Sequence, residues 1–128
     1  MACARCLLVC FALLAAGCSE IFESHYADWR KAQESGVFER GWLPGWVPPS
    51  ATDIREIRDL DTNRGAFHFS VPMGWSLPEA ADCVPSAQAI APSIHFKHFP
   101  SSIEQRAGIL KCGDLFVVVT ERTVFAWR

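Results

Sequence analysis

The chain has 128 residues, about one small domain's worth. Half of them are hydrophobic, a fifth are charged, and nine Phe, five Trp and one Tyr are among them, which excludes a disordered or a collagen-like chain. The formal net charge of −2 argues against a general nucleic-acid binder.

Residues 1–18 carry one charged side chain, Arg5, and no acid. Cys6 to Ala16 is an unbroken apolar run of 11 residues. A membrane-spanning helix needs about 20 apolar residues, and this run breaks at Gly17-Cys18-Ser19-Glu20, so it is too short to span. A basic start, a short apolar stretch and small residues before a break describe a secretory signal peptide. The end of that stretch, Leu14-Ala15-Ala16-Gly17-Cys18, resembles the lipobox of bacterial lipoprotein signal peptides, with Ala15 where the strongest form has Leu. The resemblance implies that Cys18 is diacylated on its sulfur and becomes the mature N-terminus. It divides the chain into a signal peptide, 1–17, and one small periplasmic domain, 18–128. Ser19 after the cysteine implies, by the same resemblance, the outer rather than the inner membrane. The competing reading is a plain signal peptide that happens to end in Cys.

Removing residues 1–17 leaves 111 and takes away Cys3, Cys6 and Cys10. With Cys18 assigned to lipid, Cys83 and Cys112 remain. An exported pair in an oxidising compartment reads as a disulfide. Closing a loop of about 30 residues is worth roughly 3.5 kcal/mol in the chain-entropy picture. Two buried thiols or a redox pair are the alternatives, and no C-x-x-C spacing supports the latter.

Phe22, Tyr26 and Trp29 fall at i, i+4 and i+7, which predicts a helix over roughly 22–34, stopped at Gly36 and packed on the domain. The segment Gly41-Trp42-Leu43-Pro44-Gly45-Trp46-Val47-Pro48-Pro49 predicts an extended, partly polyproline II path, because three prolines remove amide donors and fix φ. Its tryptophans either pin the segment onto a core or form a platform for sugar or peptide. Ser50 as N-cap with Asp53 at N3 predicts a one-turn helix near 50–54. A hairpin follows, with strands near 55–61 and 66–71 around the polar turn Asp61-Thr62-Asn63-Arg64-Gly65. Ser76 and Pro78 open a short helix over 77–83. Residues 84–94, with Pro85 and Pro92, read as a surface loop. A helical turn is expected at 102–106. Three strands are expected at the end, near 108–111, 115–120 and 123–128, the middle one central because it is apolar on both faces. Glu121-Arg122 is the two-residue turn of the last hairpin, without the Gly or Asn such turns prefer.

Pro48-Pro49-Ser50-Ala51-Thr52-Asp53-Ile54, the hairpin with Phe67-x-Phe69, then Cys112-Gly113 and Phe125-x-Trp127, resemble small uncharacterised lipoproteins of Gram-negative bacteria over some 80 residues. That resemblance implies an envelope location and a small α+β domain, and no catalytic activity.

Candidate chemistry is sparse. His95-x-x-His98 has metal-like spacing, and Asp82, Glu104 and His68 are possible further ligands, but Pro92 and Pro100 bracket the pair and disfavour a helix that would align it. There is no G-x-S-x-G. Glu56, Asp59 and Asp61 are interspersed with Arg55, Arg58 and Arg64, a pattern of a solvated, ion-paired hairpin face. The expectation is an α+β fold: an N-terminal helix and short helical turns packed on an antiparallel sheet of four or five strands. The expected role is a lipid-anchored envelope protein, a non-catalytic structural or protein-interaction module without cofactor or metal. Its partners are the membrane, through the lipid, and an envelope protein, not nucleic acid. The alternative is a glycan- or small-ligand-binding lipoprotein that uses Trp42, Trp46 and Trp75.

Overall fold

The structure, a computed structural model, describes residues 20–128, and most of their regular structure is strand. The stretch 1–17 read as a signal peptide and Cys18, read as the lipidated residue, lie outside the described residues. Seven strands form one antiparallel sheet: β1 Ile21–Asp28, β2 Thr52–Asp59, β3 Gly65–Ser70, β4 Cys83–Pro85, β5 Leu110–Cys112, β6 Leu115–Val119 and β7 Thr123–Trp127. Their order across the sheet is β1-β2-β3-β7-β6-β5-β4. One α-helix, α1 Trp29–Ser35, and single 3-10 turns at Glu79–Ala81 and Ile103–Gln105 complete the regular structure among the described residues. No helix among them is long and apolar enough to cross a membrane.

This corrects the expected α+β fold with an N-terminal helix over 22–34 and four or five strands. Residues 21–28 are strand, paired with β2 in one register from Ile21↔Asp59 to Asp28↔Thr52, with only Ala27 skipped. The spacing of Phe22 and Tyr26 satisfies a period of two as well as one of 3.6, and cross-strand pairing decided between them. Helix begins only at Trp29, where the Asp28 carboxylate accepts a hydrogen bond from the Lys31 amide at 2.9 Å. Gly36, at φ 81°, ends it in the left-handed conformation.

Other local expectations also shift. No helical turn forms at 50–54. Asp53 is instead a bulge residue with φ 47°, at the register break between β2 and β3. The Trp-Pro segment is a chain of turns rather than an extended path, with Pro44 and Pro48 carbonyls accepting from Val47 and Ala51 at 3.2 and 2.9 Å. The helix expected over 77–83 shrinks to Glu79–Ala81, and Cys83–Pro85, read within helix and loop, is strand β4. The two hairpins and the apolar strand stand. β6 is an interior strand, and the Glu121-Arg122 turn is held by Thr120, whose hydroxyl accepts from the Thr123 amide and donates to its carbonyl.

Both faces of the sheet are covered. On one, Ile54, Phe67, Phe69, Val117, Val124 and Ala126 pack under Ala32 of α1 and under Val37, Leu43 and Val47 of the turn segment. On the other, Ile57, Ala66, Phe116, Val118, Phe125 and Trp127 pack under Phe96, Ile103 and Ile109 of the long connection from β4 to β5. Burying a side chain such as Phe69 contributes about 2 kcal/mol. Trp127 Nε1 donates to the Ile90 carbonyl at 2.7 Å and fastens that connection to the sheet. A disulfide joins Cys83 to Cys112, which stand directly opposite one another on β4 and β5.

Candidate functional site

The first site grows out of the aromatic stack on β3. Phe67 and Phe69 project to the same face, and Trp46 leans on both with ring centroids 6.2 Å away. Trp75 meets Phe69 edge-on at 6.0 Å. The turns at Pro44 and Pro48 and the turn Pro72–Trp75 deliver the two tryptophans to the same place. Between them lies an open hollow of about 610 Å³, walled by Trp46, Val47, Pro48, Pro49, Trp75 and Pro78, with Gly45, Ser76 and Ala80. No charged residue lines it, and beside the indole N–H groups its one polar side chain is the Ser76 hydroxyl.

Trp42 is not part of that hollow. Two guanidinium groups stack on its ring, Arg58 at 3.4 Å and Arg40 at 4.2 Å from the centroid. Arg58 also pairs with Glu56, which is buried and reached by the Tyr26 hydroxyl at 3.4 Å. The carboxylate expected on a solvated hairpin face is thus internal. Its neighbours Arg58, Tyr26 and Trp42 form a structural polar knot.

The second site lies on the opposite sheet face. His25, Arg55, His68, Phe125 and Val118 stand side by side across β1, β2, β3, β7 and β6. His25 Nε2 donates to Asp53 Oδ1 at 2.7 Å, and Arg55 Nε donates to the same oxygen at 3.2 Å. Arg55 also reaches His98 Nε2 at 3.5 Å. His98 lies over His68 with ring centroids 5.6 Å apart, and Phe96, Phe99 and Phe125 close around His68 at 5.7, 6.4 and 5.8 Å. His68 is 8 % exposed and its Nε2 has no hydrogen-bond partner among the described residues.

Burial pushes the His68 pKa down from 6.5 to about 4, and the nearby His98, Arg55 and His25 add to this against the pull of Asp53. At Asp53 burial acts upward, but the His25 and Arg55 hydrogen bonds and the Arg55 charge outweigh it and hold the carboxyl below its ordinary value. A hollow of about 210 Å³ opens beside the cluster, lined by Glu23, Ser24, His25, Arg55, Phe96 and His98, with Glu56.

The structure separates the His95-x-x-His98 pair. His95 lines a different hollow with Glu104, while His98 joins His68 and Arg55. Among the described residues no three His, Cys, Asp or Glu side chains come close enough to hold a metal ion. No hydrogen bond among them joins a histidine to a serine, threonine or cysteine. The His25–Asp53–Arg55 cluster escaped the sequence reading because it depends on register. The one available signal was parity: Arg55 and His68 each sit where the alternation of its strand points to a covered face.

Residues 20–70 match the family model described as the YbbD head domain, a small bacterial family. The match runs from β1 to the end of β3 and includes Trp46, the His25, Arg55 and His68 part of the row, and Asp53, whereas Trp75, the disulfide and β4–β7 lie beyond it. No curated protein and no solved structure matches the chain.

Proposed function

We propose that the chain is a lipid-anchored protein of the bacterial cell envelope, tethered through Cys18 on the periplasmic face of the outer membrane. It acts there as a non-catalytic interaction module. The resemblance of Leu14-Ala15-Ala16-Gly17-Cys18 to a lipobox supports the anchor. So does the likeness of the Pro48-to-Ile54 segment and the late Cys112 to small lipoproteins of Gram-negative bacteria.

The observation that carries the interaction reading is the hollow between Trp46 and Trp75. Walls of tryptophan and proline without charge fit an extended, apolar or proline-containing segment of another envelope protein. A glycan site on the same tryptophans needs several convergent polar groups to fix sugar hydroxyls, and the side chains there offer one hydroxyl, that of Ser76, and the two indole N–H groups, with no carboxylate, amide or charge.

The test is crosslinking in intact cells followed by mass spectrometry of proteins recovered with the tagged full-length chain. Wild type, Trp46→Ala/Trp75→Ala and Cys18→Ser are compared. One envelope protein enriched by wild type and lost in both variants is the expected result. Aromatic anchors of this kind weaken binding by roughly 30-fold when truncated. Enrichment that survives the double substitution overturns the assignment of the hollow. A saturable shift of tryptophan fluorescence on adding glycan favours ligand binding instead.

A further inference from the structure

The two edges of the sheet differ sharply. The β4 edge has three residues, ends in Pro85, and is tied to its neighbour by the Cys83–Cys112 disulfide. Short length and proline are ordinary ways of blunting an edge. The β1 edge has eight residues, Ile21 to Asp28, with no proline and no lysine, and its register with β2 does not shift, although Ala27 is left unpaired opposite Asp53. Among the described residues no strand pairs with its outer side, and Ile21 and Phe22 are 47 % and 48 % exposed. A long regular edge with outward N–H and C=O groups is a template for another strand.

We infer that this edge pairs with a second copy of the chain, antiparallel and centred on Ser24, joining two sheets into one. Alternate residues of an edge strand turn their backbone groups outward, so an antiparallel self-pair must set residues of like parity opposite each other. That leaves few registers. With Ser24 opposite the partner's Ser24, Glu23 faces the partner's His25, Phe22 faces the partner's Tyr26, and Ile21 faces the partner's Ala27. Symmetry repeats each pairing, so an acid meets twice an imidazole whose Nε2 is bonded to Asp53, an aromatic pair forms twice and an apolar pair forms twice. Centring on Glu23 sets the two Glu23 carboxylates against each other. Centring on His25 sets Phe22 against Asp28. Only at the ends of the favoured register do like charges meet, Glu20 with the partner's Asp28, and that aspartate is already engaged as the cap of α1. The self-complementary pattern selects a second copy over an unrelated strand.

The experiment uses the full-length chain in membranes. Ser24→Cys sets two thiols opposite each other on the symmetry axis, within disulfide reach in an antiparallel pair. Mild oxidation followed by non-reducing electrophoresis is expected to give a covalent dimer. Neither wild type nor Ile90→Cys, an exposed position on the far connection, should give one. Adding Phe22→Lys, which removes both aromatic pairs and puts a charge on the edge, should lower the dimer yield about tenfold. Sedimentation of the detergent-solubilised chain with its native cysteines gives a second readout: a concentration-dependent dimer in wild type, weakened by Phe22→Lys, which is exposed and leaves the core intact. A monomer at all concentrations, or equal crosslinking at Ile90→Cys, overturns the inference. So does a dimer that Ser24→Cys fails to trap.

Discussion

His68 is buried among Phe96, Phe99 and Phe125, with His98 and Arg55 as its polar neighbours. The fold therefore holds it as a neutral imidazole, with its pKa lowered from 6.5 to about 4. The unfolded chain takes up a proton near 6.5 and the folded one only near 4, so the unfolded state binds more protons between those values. Stability contributed by the neutral His68 is complete above about pH 6.5 and falls as the pH drops toward 4. At pH 5 the loss is on the order of 2 kcal/mol. His68→Leu removes the titrating group while keeping an apolar side chain in the pocket. Its denaturation midpoint is expected to change little between pH 7 and 5, whereas that of wild type declines. Equal slopes in the two proteins would show that some other group carries the acid sensitivity. Asp53, held below its ordinary value, adds its own loss only at lower pH, as it takes up a proton.

The first hairpin shows what an element demands that composition does not. Gly65 opens β3, and a Cβ added there would lie 2.9 Å from the Ile57 carbonyl oxygen, a backbone atom that cannot swing aside. Its own backbone is also committed, exchanging hydrogen bonds with Arg128. Gly65→Ala is expected to cost about 1–3 kcal/mol by forcing the β2 and β3 backbones apart. At Gly45 a Cβ would meet nothing within 4 Å, so Gly45→Ala should be neutral or mildly stabilising. Urea denaturation of the two variants side by side checks the contrast, and equal midpoints would remove the close-approach argument. The β2–β3 and β6–β7 hairpins were legible because alternation and a polar turn are local signals. The β1 strand was not, because Phe22 and Tyr26 fit both periods and its proof is the distant partner β2. The same holds for the candidate site. Trp46 and Trp75 could be named individually, but 29 positions separate them, and turns at Pro44, Pro48 and Pro72 bring them together. Asp53 was misread as a helix N3 residue because an aspartate after Ser50 suits that role equally well; the break in pairing between Thr52 and Arg55 makes it a bulge.

At the scale of the whole molecule, the order β1-β2-β3-β7-β6-β5-β4 places the last strand against β3 and sends the chain from β3 to the far edge before it returns. That topology rests on long-range pairing, which no local pattern encodes, and the cysteine pair was the one long-range contact readable beforehand. Cys83 and Cys112 bracket the connection whose Phe96, Ile103 and Ile109 cover one face of the sheet over β2, β3, β7 and β6. That connection has little regular structure of its own: one 3-10 turn, the Trp127–Ile90 bond and its apolar contacts. Closing both ends of it removes conformations mainly from the unfolded chain, worth roughly 3.5 kcal/mol for a loop of about 30 residues. For a domain of this size that corresponds to a melting temperature about 15 °C lower in Cys83→Ser/Cys112→Ser. Because the bridge ties down a three-residue edge strand, hydrogen exchange in the variant should rise first in β4, β5 and the covering connection. The β1–β2–β3 sheet, with its longer pairings, should keep its protection until global unfolding. Calorimetry of the variant against wild type, with exchange read peptide by peptide, separates the two contributions. An unchanged melting temperature would mean that the connection is held by Phe96, Ile103 and Ile109 alone, with the bridge adding no constraint to a loop already closed by packing.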